Sequence, residues 1–364
     1  MAVPTARLAL ITSLMLLPVL SSCGLISERK RSSELAQLQV DAEAGNTQAM
    51  ISLAEQYESG ELSDPTQLQA AFWYKSAADS GSPIGQFKTA KNILDSGELS
   101  TARLSTAKNY LQQASSQEFT DAQVLLADSL LDGTFRPRQA EQAFPLYLKA
   151  ANKNNIDAQY KVGLMYSQGD GITQSYLSAS QWFRRAADNG DPRAQLNLGD
   201  YYINGIGLSE DVRQAVDWYE KSAQQGSPEA QSNLGDLLTI DRYGAAQNIP
   251  IGLQWYLRAA EQGNAHAQSR AGLILAGNFG VPANPIEAVR WLRTSALQGY
   301  APAQCQLGRL YHTGVGVAEN QAEAERWYNR AAEQAPAGLL PLLGFVHYDC
   351  NEFYKETLIL ENVN

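Results

Sequence analysis

The chain has 364 residues and a formal net charge of −10, and 18% of its residues are charged while 44% are hydrophobic. This composition provides enough apolar material for a folded core and argues against a chain that is disordered throughout. The net negative charge repels phosphate backbones, so nucleic acid is not an expected partner.

The first 22 residues have the pattern of an export signal. Arg7 precedes an apolar stretch over residues 8–20. This stretch is too short for a membrane-spanning helix, which needs about 20 apolar residues. The small residues Ser21 and Ser22 then stand directly before Cys23. Residues 1–22 are therefore predicted to be a cleaved signal peptide rather than a membrane anchor.

The residues Leu-Ser-Ser-Cys at 20–23 resemble the lipobox of bacterial lipoproteins. In that family the cysteine is acylated and becomes the mature N-terminus, so the resemblance implies lipidation of Cys23. Gly24 stands where an aspartate would imply retention in the inner membrane, so the resemblance implies a lipid anchor in the outer membrane. Residues 23–33 are predicted to be a short tether that keeps the folded part near the membrane, facing the periplasm. The alternative is an ordinary secretory signal with a chance cysteine.

A period of 36 or 37 residues runs through the rest of the chain. Six tryptophans mark it, with Tyr110 and Leu146 at two further places: Trp73, Trp182, Trp218, Trp255, Trp291 and Trp327. Alanine or glycine stands three residues before each of these positions, and alanine or serine stands four residues after it. These offsets lie on one face of a helix, and small side chains around a ring allow two helices to pack closely. The tryptophans are therefore interpreted as structural positions of a repeat.

A second helix is predicted after each of these helices. It opens with a small residue that is usually followed by glutamine, as in Ala194-Gln195, and apolar residues recur four and eight positions after the opener, as at Leu198 and Tyr202. Neither helix can bury its apolar face alone, so consecutive pairs must stack. The sequence predicts an all-α fold over residues 34–335: a right-handed α/α superhelical solenoid of about eight helix-turn-helix repeats of 36 residues.

The two helices together carry a motif. Ala-x-x-Trp-Tyr-x-x-Ala-Ala-x-x-Gly is followed by Ala-Gln-x-x-Leu-Gly and then by Gly-x-Gly, and this succession resembles the Sel-one-like repeat, a TPR-like (tetratricopeptide-like) repeat of slightly longer period. The resemblance covers residues 40–335 and implies an adaptor or scaffold that binds proteins in a concave groove. Early copies depart from the motif at Tyr110, Ser115 and Leu146. Residues 336–364 leave the pattern and are predicted either to cap the array or to dock elsewhere.

Positions that vary between copies are candidates for contact with a partner. Two such columns lie three and six residues after the small opener of the second helix. Aromatic and apolar side chains stand next to these columns in the middle copies, and binding hot spots tend to arise on such surfaces. The predicted partner-binding residues are Tyr160, Lys161, Leu164, Asn197, Asp200 and Tyr201. The alternative is a face that only contacts solvent.

Neither a catalytic site nor a metal site is predicted. The Gly-x-Gly turns, such as residues 205–207, lie between two helices rather than between a strand and a helix, so they are interpreted as turns of the repeat and not as phosphate loops. His266, His312 and His347 fall in different copies, which argues against a metal site. His312 follows a helix end and is predicted to cap it. The protein is predicted not to be an enzyme and to need no cofactor.

The cysteines are too few to staple every repeat, because only Cys305 and Cys350 follow Cys23. Stability must therefore come from packing. Cys305 stands in a column of the second helix that mostly holds apolar residues, and it is interpreted as a buried thiol. The alternative is a disulfide with Cys350.

The lipobox and the helical repeats together predict a non-catalytic outer-membrane lipoprotein that acts as a scaffold in the cell envelope through protein–protein interactions. Scaffold lipoproteins of exopolysaccharide secretion, notably of alginate, share this combination. That resemblance implies envelope partners such as an outer-membrane porin or a polysaccharide-export component. Two alternatives are a surface or secreted host-interaction factor, and an accessory protein that binds peptidoglycan or sugar.

Overall fold

The computed structural model describes residues 33–63, 68–97, 100–240, 247–277 and 279–334. Within these ranges every regular element is an α-helix, as predicted. In the same part of the chain, no helix combines the length and the apolar character that crossing a membrane requires. The predicted signal peptide (1–22), the lipidated Cys23 with its tether up to residue 32, and the tail at 336–364 lie outside the described residues.

The chain divides into two compact units, residues 1–158 and 159–364. The first unit contains α1 (33–43), α2 (Thr47–Glu58), α3 (Leu68–Asp79), α4 (Pro83–Asp95), α5 (Thr101–Ser116), α6 (Thr120–Leu131) and α7 (Ala140–Asn152). Helix α8 (Ile156–Gln168) spans the division. The second unit continues with α9 (Tyr176–Asp188), α10 (Pro192–Asn204), α11 (Val212–Gln224), α12 (Pro228–Thr239), α13 (Ile249–Glu261), α14 (Ala265–Ala276), α15 (Pro285–Leu297), α16 (Ala301–Thr313) and α17 (Gln321–Ala332).

Helices that follow each other in the chain pack against each other, both from α2 to α7 and from α9 to α17. Most of them have 12 or 13 residues, so two helices with their turns fill one period of 36 residues. Their apolar faces are buried between neighbours, which gives each unit a core that runs from repeat to repeat. The predicted helix-turn-helix repeat is confirmed.

The Gly-x-Gly turn joins an Ala-Gln helix to the tryptophan helix that follows it in the chain. Gly205 ends α10 with φ +64°, in the left-handed region where glycine is favoured. Gly207, at φ +67°, passes so close to the backbone of Tyr176 at the start of α9 that a Cβ would clash with it. The first glycine therefore ends the helix, and the second lets the turn pack on the preceding repeat.

The residue after each tryptophan position fills the space between two helices. Phe183 on α9 is 1% exposed, and its ring lies where a Cβ on Gly163 of α8 would come within 2.6 Å. The pairing recurs along the second unit between Tyr219 and Gly199, Tyr256 and Gly235, Leu292 and Gly272, and Tyr328 and Gly308. Each of these side chains occupies the volume that the glycine leaves open, as close packing requires.

The tryptophans lie nearer the edge of this packing. Three are buried and three are partly buried: Trp218, Trp291 and Trp327 in the first group, and Trp73, Trp182 and Trp255 in the second. In four copies a basic side chain three residues later lies over the indole, at 4.4 Å for Arg185 on Trp182, 3.7 Å for Lys221 on Trp218, 4.5 Å for Arg258 on Trp255 and 4.7 Å for Arg330 on Trp327. From Trp73 to Trp291 the residue after the tryptophan is the more deeply buried of the two, whereas in the last copy Trp327 is buried and Tyr328 is partly exposed.

Four glutamines of the Ala-Gln pairs in the second unit are buried and hydrogen-bonded on two sides. Gln231 on α12 donates to the carbonyl of Ala223 on α11 at 3.0 Å and accepts from Gln262 after α13 at 2.9 Å. The same two bonds recur at Gln195, Gln268 and Gln304. Buried amides need such partners, so each glutamine ties its own helix to the helices before and after it.

Cys305 on α16 is fully buried, as predicted, but it is disulfide-bonded. The interpretation as a free thiol is therefore corrected. Both other cysteines of the chain lie outside the described residues. Pairing depends on how close the fold brings two sulfur atoms, and spacing along the sequence does not give that distance.

Candidate functional site

The candidate surface lies in the second unit, on helices that share the Ala-Gln pair in their first turn. Tyr160, Lys161 and Leu164 of α8 are partly exposed, and so are Asn197 and Asp200 of α10. Lys161 and Asn197 occupy equivalent positions in consecutive repeats, as do Leu164 and Asp200. The surface continues along α12 and α14, and we call these four helices with their exposed side chains the α8–α14 surface.

Tyr201 does not belong to this surface. It is 6% exposed, and its ring packs edge-on against Phe183 at a centroid distance of 5.4 Å. One residue along a helix turns the side chain by about 100°, so Tyr201 points into the core while Asp200 does not. The prediction that Tyr201 contacts a partner is therefore corrected.

Arg193 borders the surface at the start of α10. Its guanidinium lies 4.2 Å from the centre of the Tyr160 ring, within the range of a cation–π interaction. The same side chain pairs with the carboxylate of Asp191 at 2.6 Å. Arg193 was not among the predicted site residues. Its place in the sequence, in the first turn of a helix, did not distinguish it from other residues at helix starts.

Asp200 is held by uncharged groups. Tyr219 on α11 donates its hydroxyl to Asp200 Oδ1 at 2.6 Å, and Asn233 Nδ2 on α12 lies 3.4 Å from the same oxygen. Burial raises the pKa of Asp200 to about 6, and the hydrogen bond from Tyr219 offsets only part of that effect. Within the described ranges, Asp200 forms no ion pair with a lysine, arginine or histidine.

Asp236 stands at the equivalent position one repeat later, but it contacts a histidine and an arginine. Tyr256 donates to Asp236 Oδ1 at 2.5 Å, His266 Nε2 lies 3.0 Å from both carboxylate oxygens, and Arg270 Nε lies 3.5 Å from Oδ1. His266 Nδ1 is 2.9 Å from the hydroxyl of Tyr300. Burial by itself would raise the pKa of Asp236, but His266, Arg270 and Tyr256 outweigh it and hold the pKa below its usual range.

A related cluster occurs in the first unit. Glu58 accepts from the hydroxyl of Tyr74 and from Lys88 Nζ, both at 2.7 Å, and Lys88 lies 5.2 Å from the centre of the Tyr74 ring. Burial acts to raise the pKa of Glu58, but Lys88 and Tyr74 together lower it below its usual range. A further pair joins the hydroxyl of Tyr147 to Asp128. Tyrosine–carboxylate pairs are thus a recurrent feature of this chain.

These pairs were missed at the sequence level. In the pairs of Asp128, Asp200 and Asp236, the tyrosine follows the aspartate by 19 or 20 residues. That spacing was a signal that could have revealed them.

Among the described side chains, no group of three or more histidines, cysteines, aspartates or glutamates is arranged to hold a metal ion. The surface therefore presents hydrogen-bonding and charged groups to whatever binds it.

Solved structures similar to this chain are helical repeat proteins. A protective antigen of uropathogenic Escherichia coli with an SLR fold is 29% identical, with a TM-score of 0.78 over 84% of this chain and 65% of that chain. A Sel1 repeat protein from Oxalobacter formigenes is 24% identical, with a TM-score of 0.65 over 88% of this chain and 89% of that chain, which supports the fold alone. This chain therefore spans less than two thirds of the E. coli antigen.

A curated relative is the chitin synthase regulator SKT5 of Saccharomyces cerevisiae, which is 28% identical over 96 residues. That match covers 26% of this chain and 14% of the yeast protein, so it concerns a few repeats only.

The family comparison covers most of the chain. The Sel1 repeat matches seven segments: residues 47–82, 120–155, 156–191, 192–227, 228–264, 265–300 and 301–336. Helices α4 and α5 form one more pair between the first two matched segments. The chain belongs to the Sel1 repeat family, as the sequence motif implied.

Proposed function

We propose that this protein is a non-catalytic scaffold that binds other proteins through the α8–α14 surface. Sel1 repeat proteins mediate protein–protein interactions, and the matched repeats cover more than half of this chain. The observation that supports this particular surface is the partly exposed row of Tyr160, Lys161, Leu164, Asn197 and Asp200, whose side chains differ between repeats. The repeated residues stabilise the array, and the residues that differ between repeats give this surface its own chemistry.

The proposal includes a place in the cell. The lipobox-like residues at 20–23 support lipidation of Cys23, and Gly24 supports transport to the outer membrane. The folded units would then lie in the periplasm within reach of the membrane. Envelope proteins are the proposed partners, with a porin or a component of polysaccharide export, as in alginate secretion, as the specific candidates.

Lipidation has a direct test. Replacing Cys23 with serine is expected to move the protein from the outer-membrane fraction to the soluble periplasm, because the acyl chains would have no sulfur to attach to. Metabolic labelling with a radioactive fatty acid should mark the wild-type protein and not the variant. Ser27→Ala, in the predicted tether, is the control and should keep the label. An unlabelled wild-type protein, or an unchanged distribution of Cys23→Ser, would overturn the lipoprotein assignment.

The binding surface is tested by photo-crosslinking in living cells. A photoreactive amino acid at position 197 is expected to give adducts with an envelope protein, because Asn197 is partly exposed on the α8–α14 surface. The control position is 220, since Glu220 is exposed on α11 and lies outside that surface. Adducts from position 220 alone, or from neither position, would contradict the proposal.

A second function has one specific observation in its favour. The similar protein of uropathogenic Escherichia coli is described as a protective antigen. A protein exposed to the host in this way would lie on the cell surface. Treating whole cells with protease distinguishes the two candidates, because a surface protein is degraded while a periplasmic one is protected.

A further inference from the structure

We propose that the carboxylate of Asp200 on α10 binds an arginine side chain from a partner protein. The inference rests on the proposed function as a protein-binding scaffold, and it specifies the position and the chemistry of one contact. It follows from a comparison of Asp200 with other carboxylates of the same chain.

Asp200 and Asp236 stand at equivalent positions. Each lies six residues after the small opener of its helix and accepts a hydrogen bond from a tyrosine on the next helix, at 2.6 Å from Tyr219 and at 2.5 Å from Tyr256. The two sites therefore share the same scaffold and the same neutral donor. They differ in what else surrounds the carboxylate.

At Asp236, the arginine and histidine partners come from the following repeat. Arg270 stands three residues after the small opener of α14, and His266 stands directly before that opener. At Asp200, the corresponding residues of α12 are Asn233 and Glu229. An amide has replaced the guanidinium and an exposed carboxylate has replaced the imidazole, so the following repeat provides no cation for Asp200.

The first unit contains a second cation at this position of the repeat. Lys88 stands three residues after the opener of α4, as Arg270 does on α14, and it pairs with Glu58 beside Tyr74. Two tyrosine–carboxylate sites thus contain an internal cation delivered from the same position of the repeat. At Asp200 that position holds Asn233, and the charge of the aspartate is left uncompensated by the described part of the chain.

Charge and burial favour an external guanidinium. Arg193 also lies on α10, but it is seven residues away, about 10 Å along the helix axis, and it is already paired with Asp191. Glu229 adds a further negative charge on the neighbouring helix.

Burial disfavours the ionised form of the Asp200 carboxylate, so a cation beside it stabilises that form strongly, because the attraction between the two charges increases as water is excluded. Arginine forms paired hydrogen bonds with a carboxylate, and the site of Asp236 already accepts a guanidinium nitrogen.

The test uses peptides selected for binding to the complete chain. A random-peptide phage library is panned against the wild-type protein, and a selected peptide is synthesised with its arginine and with neutral citrulline in the same place. Arginine is expected to be enriched among the selected peptides. Fluorescence anisotropy should then show at least about tenfold weaker binding of the citrulline peptide, the loss that corresponds to about 1.4 kcal/mol.

Three variants locate the contact. Asp200→Asn is expected to weaken binding of the arginine peptide by at least about tenfold, and Asn233→Arg should do the same by placing an internal guanidinium at Asp200. Glu220→Gln is the matched control, since it removes a negative charge that is exposed on α11 outside the α8–α14 surface, and it should change binding by no more than about twofold. Circular dichroism establishes that each variant is folded.

Several outcomes would overturn the inference. They are a selection that yields no peptides or peptides without arginine, selection of lysine in its place, and binding that is unchanged in Asp200→Asn. These failures are distinguishable from a failure of the proposed function. If the crosslink from position 197 still captures an envelope protein in the Asp200→Asn variant, the scaffold function stands and only the arginine contact is refuted.

Discussion

Replacing Phe183 with alanine is expected to lower the free energy of unfolding by about 3–5 kcal/mol. The ring is 1% exposed and lies against Gly163. It also contacts the rings of Tyr160 and Tyr201, at centroid distances of 5.9 and 5.4 Å. Its loss leaves a cavity between α8 and α9 that a glycine cannot fill. Urea denaturation followed by circular dichroism measures the change.

Trp182→Ala is the matched control for this substitution. Trp182 precedes Phe183 on the same helix, is larger and is only partly buried, with Arg185 over its ring at 4.4 Å. Its removal is expected to cost roughly 1–2 kcal/mol, because part of its surface already contacts water. A larger loss of unfolding free energy for Trp182→Ala than for Phe183→Ala would show that the tryptophan contributes more to the packing of the repeat than the residue after it.

Removing the charge of the two equivalent aspartates is expected to have opposite effects near neutral pH. Asp236→Asn leaves Arg270 and His266 without their carboxylate, and it should lower the free energy of unfolding by about 3 kcal/mol. Asp200→Asn removes a partly buried charge that has no cationic partner in the described part of the chain. It should raise the free energy of unfolding by about 1–2 kcal/mol, a value reduced for partial exposure to solvent.

The pH dependence of the two effects follows from the pKa shifts. The pKa of Asp200 is about 6 in the folded protein against an ordinary value of 3.8, so the folded state holds a proton that the unfolded chain releases between these values. Its contribution to stability is therefore full below about pH 4 and is lost as the pH rises through about 6. The pKa of Asp236 is shifted below 3.8, so its contribution is present above that value and is lost as the pH falls through the folded pKa.

Urea denaturation at about pH 4 and near neutral pH measures both effects. The stabilisation by Asp200→Asn is expected to shrink at the lower pH. Asp236→Asn should stay destabilising as long as the aspartate remains ionised in the wild-type protein. Destabilisation by Asp200→Asn at neutral pH would mean that Asp200 already has a stabilising cation, and it would contradict the environment described here.

The predicted stability cost of Asp200 is consistent with a role in binding. A charge that destabilises the folded protein on its own is neutralised when a partner provides a cation. The equivalent Asp236 has Arg270 and His266 as partners within the chain and is assigned a structural role. One position of the repeat therefore has two roles: Asp236 stabilises the fold, and Asp200 is proposed to bind a partner.

The sequence by itself determined the repeat, the helix pairs and their turns. Small residues around each tryptophan, the Ala-Gln openers and Gly205 with Gly207 are local signals, because a helix places residues three and four apart on one face. These features depend only on neighbours along the chain, so one sequence is sufficient to predict them. Tyr160 and Asp200, chosen because they stand in or next to columns that vary between copies, are partly exposed, whereas Tyr201, chosen in the same way, is buried.

Only the tertiary structure decided which side chains meet between helices. It buries Phe183 more deeply than Trp182, turns Tyr201 into the core and brings His266 to Asp236 across 30 residues of sequence. Such contacts depend on the register and the crossing of helices from different repeats, which packing of all their side chains sets together. Asp200 and Asp236 look alike in the sequence and differ in the structure, because their surroundings come from the helix that follows.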